Sequence, residues 1–242
     1  MNRVAVIKDQ GKKFGLAKSK DFDTLYFKYN KQLLGLLVDK IKIKKPLIAY
    51  YGGANSILGK ELLNMLSKKG ISGKIENIDS DSGKFIKVKG IKNIKTDFLK
   101  PLEKEKYDFV MSRHTLHYLG KKDQIKFLNN VYSSLKPKGY FLLIMFVNSE
   151  NVLRKIKIKI EEYLKHKKNI YGQMFSGGGF LDLAEHTKFK IIKTKKVNYT
   201  ISINDFYKNR FNLTKTQVKE IEKTICKKHK ESIMAVLLRK GE

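Results

Sequence analysis

Short apolar runs alternate with stretches of helical spacing through the first 146 residues, and no other feature limits the fold as strongly. The runs are Pro46–Tyr51, Lys74–Ile78, Ile91–Lys95, Tyr107–Ser112 and Tyr140–Phe146. Between them lie the helical patterns Ile57–Lys68 and Lys122–Leu135 and a weak turn after Ser82. Strand and helix units of this length, taken in turn, predict a parallel, doubly wound sheet with right-handed crossovers. An amphipathic helix leads into them: Leu25, Tyr29, Leu33, Leu34, Leu37, Val38 and Ile41 keep helical spacing over Phe22–Ile43, with Asp21 or Asp23 able to cap its start. Lys136-Pro137-Lys138-Gly139 stops the last helical pattern, because neither proline nor glycine continues a helix, and the next strand begins at once.

Past Phe146 the rhythm changes. Val152–Lys168 puts Leu153, Ile156, Ile160, Tyr163 and Leu164 on one face and lysines on the other, which favours a lid helix on the core over a membrane-surface helix; its Ile-Lys alternation also fits a strand. Ser176-Gly177-Gly178-Gly179 reads as a flexible joint, with a short helix Phe180–Thr187 behind it. Lys190–Tyr199 and Ser232–Arg239 read as a final antiparallel edge pair. Between them Thr214 and Gln217 form a capping box, and Leu213 with Val218 a hydrophobic staple, opening a helix that runs to about His229. The expected class is α/β: a doubly wound, mostly parallel seven-stranded sheet with helices on both faces, an antiparallel C-terminal edge strand and a helical cap insertion. Residues 1–242 read as one domain, with a core over 22–146, a cap over about 149–187, and strands and a helix over 188–242.

Composition narrows the function. The single cysteine, Cys226, builds neither a disulfide framework nor a thiolate metal site within one chain, and five histidines without His/Cys/Asp clustering give no metal site. No run of about 18 apolar residues occurs and the N-terminal stretch has no signal-peptide core, so a soluble, cytoplasmic chain with no membrane span is expected. The net charge of +29 suits phosphate-rich partners. Only five of the 52 basic residues are arginine, however, and Lys, Ile, Asn, Tyr and Phe abound together. That points to an AT-rich coding bias more than to nucleic-acid readout, which leans on arginine.

The stretch Ala49-Tyr50-Tyr51-Gly52-Gly53-Ala54-Asn55-Ser56-Ile57 is a strand, a tight turn and a helix start. Such a junction turns bare backbone amides toward phosphate, carboxylate or ribose oxygens. The second strand ends in Ile78-Asp79-Ser80-Asp81, where a carboxylate can accept both hydroxyls of a ribose; Asp79 is the first candidate and Asp81 the second. Thr96-Asp97-Phe98 follows the third strand, and the fourth, Tyr107-Asp108-Phe109-Val110-Met111-Ser112-Arg113, delivers Ser112 and Arg113 to the carboxyl edge of the sheet, ahead of His114-Thr115-Leu116-His117.

In this order the pieces resemble the class I S-adenosylmethionine-dependent methyltransferases, closely over Phe22–Phe146 and in outline to Arg239. The resemblance implies S-adenosylmethionine as cofactor. It implies that Tyr50, Gly52, Gly53 and Ala54 cradle its methionine half, Asp79 and Ser80 its ribose, Asp97 and Phe98 its adenine, and that Ser112, Arg113 and His114 border the sulfonium and the acceptor. The sequence departs from the family loop, acidic-x-Gly-x-Gly-x-Gly, at three positions: Ala54 and Ser56 stand for two glycines, and Tyr50 stands where an acidic residue helps hold the methionine ammonium.

Methyl transfer is an in-line displacement for which a protein supplies alignment and, where needed, a base. His114 and His117 are the candidate bases because histidine titrates near neutrality. Tyr26, Tyr29 and Tyr171 either cover cofactor and acceptor or pack in the core. The expected acceptor is a small molecule methylated on oxygen or nitrogen, with RNA or an acidic carrier protein second. Ser112-Arg113-His114-Thr115 stands where nucleic-acid amino-methylating enzymes carry an Asn-Pro-Pro-Tyr type signature, and Arg113 suggests an anionic acceptor. A non-catalytic scaffold is the third reading, since Tyr50 removes a carboxylate. A nicotinamide dehydrogenase fits poorly, because Gly52-x-Ala54-x-x-Ile57 replaces Gly-x-Gly-x-x-Gly.

Overall fold

The structure, a computed structural model, describes residues 20–97, 99–116, 119–148, 186–204 and 213–241, with separate positions between 148 and 213. Phe98, His117, Tyr171 and the Gly177-Gly178-Gly179 joint lie outside the described residues. The chain runs α1 (Lys20–Val38), β1 (Leu47–Tyr51), α2 (Ile57–Ser67), β2 (Lys74–Asp79), β3 (Ile91–Lys95), β4 (Tyr107–Arg113), α3 (Lys121–Ser134), β5 (Leu135–Asn148), β6 (Phe175–Ser176), β7 (Lys190–Ser202), α4 (Lys215–Thr224) and β8 (Lys228–Arg239). One sheet takes the order β3-β2-β1-β4-β5-β8-β7.

The first five strands are parallel, and their order reverses between β1 and β4. That reversal is the switch point at which open α/β sheets bind ligands, outside the carboxyl ends of the strands. β8 runs antiparallel to both β5 and β7, so the expected edge pair is present. β6 adds two residues beside Val147 and Asn148. Because Ser232 of β8 already pairs Val147 on the other side, β6 lies on the β4 side of β5, beyond the end of β4.

Apolar side chains of alternate strand positions feed two buried clusters, one per face. On one face α1, α2 and α4 cover Tyr50, Phe109, Met111, Ile144, Phe146 and Tyr199. On the other α3 covers Tyr51, Val110, Phe141, Leu143 and Met145. Alternation of side chains across the strands gives the sheet these two apolar faces, as a doubly wound fold requires.

Three of the boundaries that differ from the sequence expectation do so for a tertiary reason. α1 stops at Val38 rather than Ile43, yet Ile41 remains 2% exposed because the chain dips back into the core after the helix ends. α4 stops at Thr224 rather than near His229, since the backbone from Lys228 onward pairs with β7, beginning at Ser202↔Lys228. β5 starts at Leu135, so the Lys136–Gly139 turn lies inside the strand as a bulge: pairing jumps from Tyr107↔Leu135 to Phe109↔Tyr140, with Lys138 at φ +63°. The capping box forms as read, with Gln217 N–H donating to Thr214 Oγ1 at 3.2 Å and Thr214 N–H to Gln217 Oε1 at 3.0 Å. Where the 152–168 segment is described it is helical, at 156, 158–160, 162, 163 and 166. Ile160 is fully buried there, and Tyr163 O–H donates to Glu220 of α4 at 2.6 Å.

Candidate functional site

The turn after β1 is held from three sides. Gly52 N–H donates to Ile78 O at 2.8 Å, which ties the turn to β2. Gly52 has φ +66°, and a Cβ there would lie 2.3 Å from Thr115 Oγ1, so only glycine fits. At Gly53 a Cβ would meet Asn77 Oδ1 at 2.0 Å and the Tyr50 ring at 2.6 Å. Ala54 and Ser56, which take the glycine slots of the resembled loop, adopt φ +44° and +58°. The backbone thus keeps the glycine conformation without glycine, at roughly 1–2 kcal/mol for each left-handed residue.

Asp79, at the tip of β2, faces this turn. Its Oδ2 accepts the Ala54 N–H at 3.0 Å and its Oδ1 the Asp81 N–H at 3.0 Å. Each oxygen keeps acceptor capacity beyond these bonds. Ser80 beside it is exposed, and Asp81 caps the short 3₁₀ turn by accepting from Gly83 N–H at 3.0 Å. Asp97 is brought alongside by the Thr96 N–H bond to Asp79 O, and its own carboxylate accepts from Leu99 N–H at 3.0 Å.

Tyr50 is 1% exposed, with its ring packed beneath Gly53 and Gly59. The polar support of the turn comes instead from Asn77, its cross-strand partner on β2. Asn77 Nδ2 donates to Ala54 O at 3.1 Å and to Asn93 Oδ1 at 2.9 Å. Sequence reasoning passed over this residue; a polar side chain inside the run Ile75-Glu76-Asn77-Ile78 was the available signal.

At the end of β4, Ser112 is buried and donates to Thr115 Oγ1 at 2.8 Å, while Thr115 donates to Tyr51 O at 3.3 Å. This relay clamps the ends of β1 and β4 across the switch point, and Thr115 was a second residue the sequence did not single out. Arg113 is half-buried at the strand end. His114 takes φ +55°, donates its N–H to Ile144 O at 2.9 Å, and stacks flat on Phe146 with ring centroids 3.9 Å apart. Phe146 leads on to Tyr199 at 6.4 Å, and Tyr199 stacks on Tyr29 of α1 at 5.0 Å. An aromatic column therefore runs from the leading helix to the loop behind β4.

Lower in the sheet, Glu76 accepts from Tyr107 O–H at 2.7 Å and pairs with Lys106 at 2.9 Å. Burial pushes its carboxyl up, but the Tyr107 bond and the Lys106 pair outweigh burial and hold it below the usual range. Burial pushes the Tyr51 phenol up to about 12, against a weaker opposing bond with Ser134. These groups brace the strands. Among the described residues there is no group of His, Cys, Asp and Glu able to hold a metal, and no helix long and apolar enough to cross a membrane.

The family defined by the methyltransferase domain matches residues 52–194, more than half of the chain, and the protein belongs to that family. No protein of curated function matches the sequence. Solved structures share the fold at low identity. The YcgJ protein of Bacillus subtilis is 14% identical with a TM-score of 0.66, over 87% of this chain and 99% of that one. A SAM-dependent methyltransferase of Methanosarcina mazei is 14% identical, with a TM-score of 0.58 over 85% and 97%. Phosphoethanolamine N-methyltransferase 2 of Haemonchus contortus, in complex with phosphomonomethylethanolamine and S-adenosylhomocysteine, is 12% identical with a TM-score of 0.56; it is matched over 92% of this chain and 58% of its own.

Proposed function

We propose that the protein transfers a methyl group from S-adenosylmethionine to an oxygen or nitrogen of a small-molecule acceptor. The observation that carries the reading is the Asp79 carboxylate turned onto the Gly52–Ser56 bend, 3.0 Å from the Ala54 amide. The residues present fit the cofactor: two glycines leave no room for a Cβ, Asp79 keeps acceptor capacity on both oxygens, and Ser56 Oγ is buried without a partner at the start of α2. When bound, S-adenosylmethionine supplies an electrophilic methyl group on a sulfonium.

Asp79 accepts the ribose hydroxyls, the bend lets backbone approach the methionine half, and Asp97 stands at the adenine end. Tyr50 offers no carboxylate to the ammonium, which leaves backbone oxygens and Asn77-supported geometry to hold that end. In this reading His114, whose ring stacks on Phe146, takes the proton from the acceptor, and Arg113 beside it serves a negative substituent. The Haemonchus neighbour, solved with the small molecule phosphomonomethylethanolamine beside S-adenosylhomocysteine, supports this class.

Calorimetry with S-adenosylhomocysteine tests the reading directly. Binding is expected, and absence of heat at millimolar ligand refutes it in favour of a scaffold. A second reading, methyl transfer to RNA or an acidic carrier protein, is favoured by the exposed lysines 190, 193, 195 and 196 on the outer strand β7. Binding of a generic RNA that falls steeply with salt supports that alternative.

A further inference from the structure

Asn30 on α1 is fully buried, and neither its Nδ2 nor its Oδ1 has a hydrogen-bond partner. Buried carboxamides are normally satisfied, and one orphaned on both sides calls for a cause outside the fold's own packing. The helix geometry shows where it points. Tyr29 leans to the β7 flank, where it stacks on Tyr199, and Lys31 leans to the α2 flank, where it pairs with Glu61 at 2.8 Å. At about 100° per residue, Asn30 falls between them and shares the sheet-facing side with Leu33, Leu34 and Leu37. The end of α1 leads into the start of β1, so its earlier residues lie toward the carboxyl edge of the sheet. Tyr29 stacks on Tyr199, Tyr199 neighbours Phe146, and Phe146 carries the His114 ring, so the turn of α1 that holds Asn30 joins this aromatic column.

We propose that Asn30 is an acceptor-recognition residue in a subsite walled by Tyr29, Tyr199, Phe146 and His114, and that the acceptor is a flat small molecule presenting a hydrogen-bond donor and acceptor side by side. The carboxamide offers one N–H edge and one oxygen edge together, so its complement is an amide-like or heteroaromatic edge, the same logic by which asparagine reads adenine. Rings favour a flat partner through stacking. Glu231 of β8, 6% exposed, holds the Tyr199 hydroxyl at 3.5 Å and fixes that wall. Because Asn30 is closed off, binding requires α1 to shift outward. An amide with no partners loses none in that shift.

The purpose assigned to this subsite rests on the methyltransferase reading, and the two are tested separately. 2-Pyridone and nicotinamide, which carry the paired edge, are titrated against pyridine, which does not, using saturation-transfer NMR with and without S-adenosylhomocysteine. The wild-type chain is expected to bind the first two probes better than pyridine, and Asn30→Leu to bind them at least about 10-fold more weakly. The variant is expected to keep its S-adenosylhomocysteine affinity and to melt no lower than wild type, because it removes a desolvated amide. Failure of both probes to bind wild type, equal binding by Asn30→Leu, or a lower melting temperature in that variant overturns the proposal. Absence of S-adenosylhomocysteine binding removes the methyltransferase reading instead, and the probe arm still decides Asn30.

Discussion

Replacing Asp79 by asparagine isolates the interaction on which the cofactor reading stands. In the wild-type chain both carboxylate oxygens accept a backbone N–H, from Ala54 and from Asp81, each at 3.0 Å. Asp79→Asn keeps one acceptor and turns the other into a donor facing a donor, so one bond to a charged acceptor is lost, at about 1.5–3 kcal/mol. At about 2–4 °C per kcal/mol for a chain of this length, the melting temperature should fall by roughly 3–12 °C. The same change removes an acceptor for a ribose hydroxyl, and S-adenosylhomocysteine should bind about 10- to 150-fold more weakly. Asp81→Asn is the control: its carboxylate serves an exposed turn, so stability should move by no more than about 0.5 kcal/mol and affinity should hold. Differential scanning fluorimetry and calorimetry read both quantities. A lowered melting temperature with unchanged affinity would refute the ribose role while leaving the structural one.

Gly53→Ala forces a methyl group to 2.0 Å from Asn77 Oδ1 and 2.6 Å from the buried Tyr50 ring, so the bend must move. A loss of about 1–3 kcal/mol is expected from overpacking, with weaker S-adenosylhomocysteine binding; a variant as stable and as tightly binding as wild type contradicts the crowding argument. Glu76 governs the acid limb of stability. Its folded carboxyl lies below its unfolded value, so its contribution is complete above the unfolded range and disappears as pH falls through the folded one. Glu76→Gln should therefore flatten the acid side of a denaturation-midpoint profile, and an unchanged slope counts against the Tyr107–Lys106 bracing.

Much of the fold was legible because it follows local pattern. The β1 bend, the Asp79 tip, the capping box at Thr214 and the edge pair all announce themselves through residue type and spacing. What escaped depends on partners distant in the chain. Asn77 is one polar residue in an apolar strand until the bend folds over it, and Thr115 is one loop residue until β1 and β4 lie side by side. The ends of α1 and α4 are not legible locally, because helical spacing continues past the point where core contact and strand pairing take the backbone away.

The order of strands and helices, the glycine bend and the carboxylate after β2 were fixed by the sequence itself, since hydrophobic period, turn chemistry and steric freedom act within a few residues. Only the folded chain decided that Tyr50 lies under the bend, that His114 stacks on Phe146, and that Asn30 is shut in without a partner. Those outcomes depend on which surfaces meet when helices close over a sheet, and that is settled by packing between residues far apart along the chain.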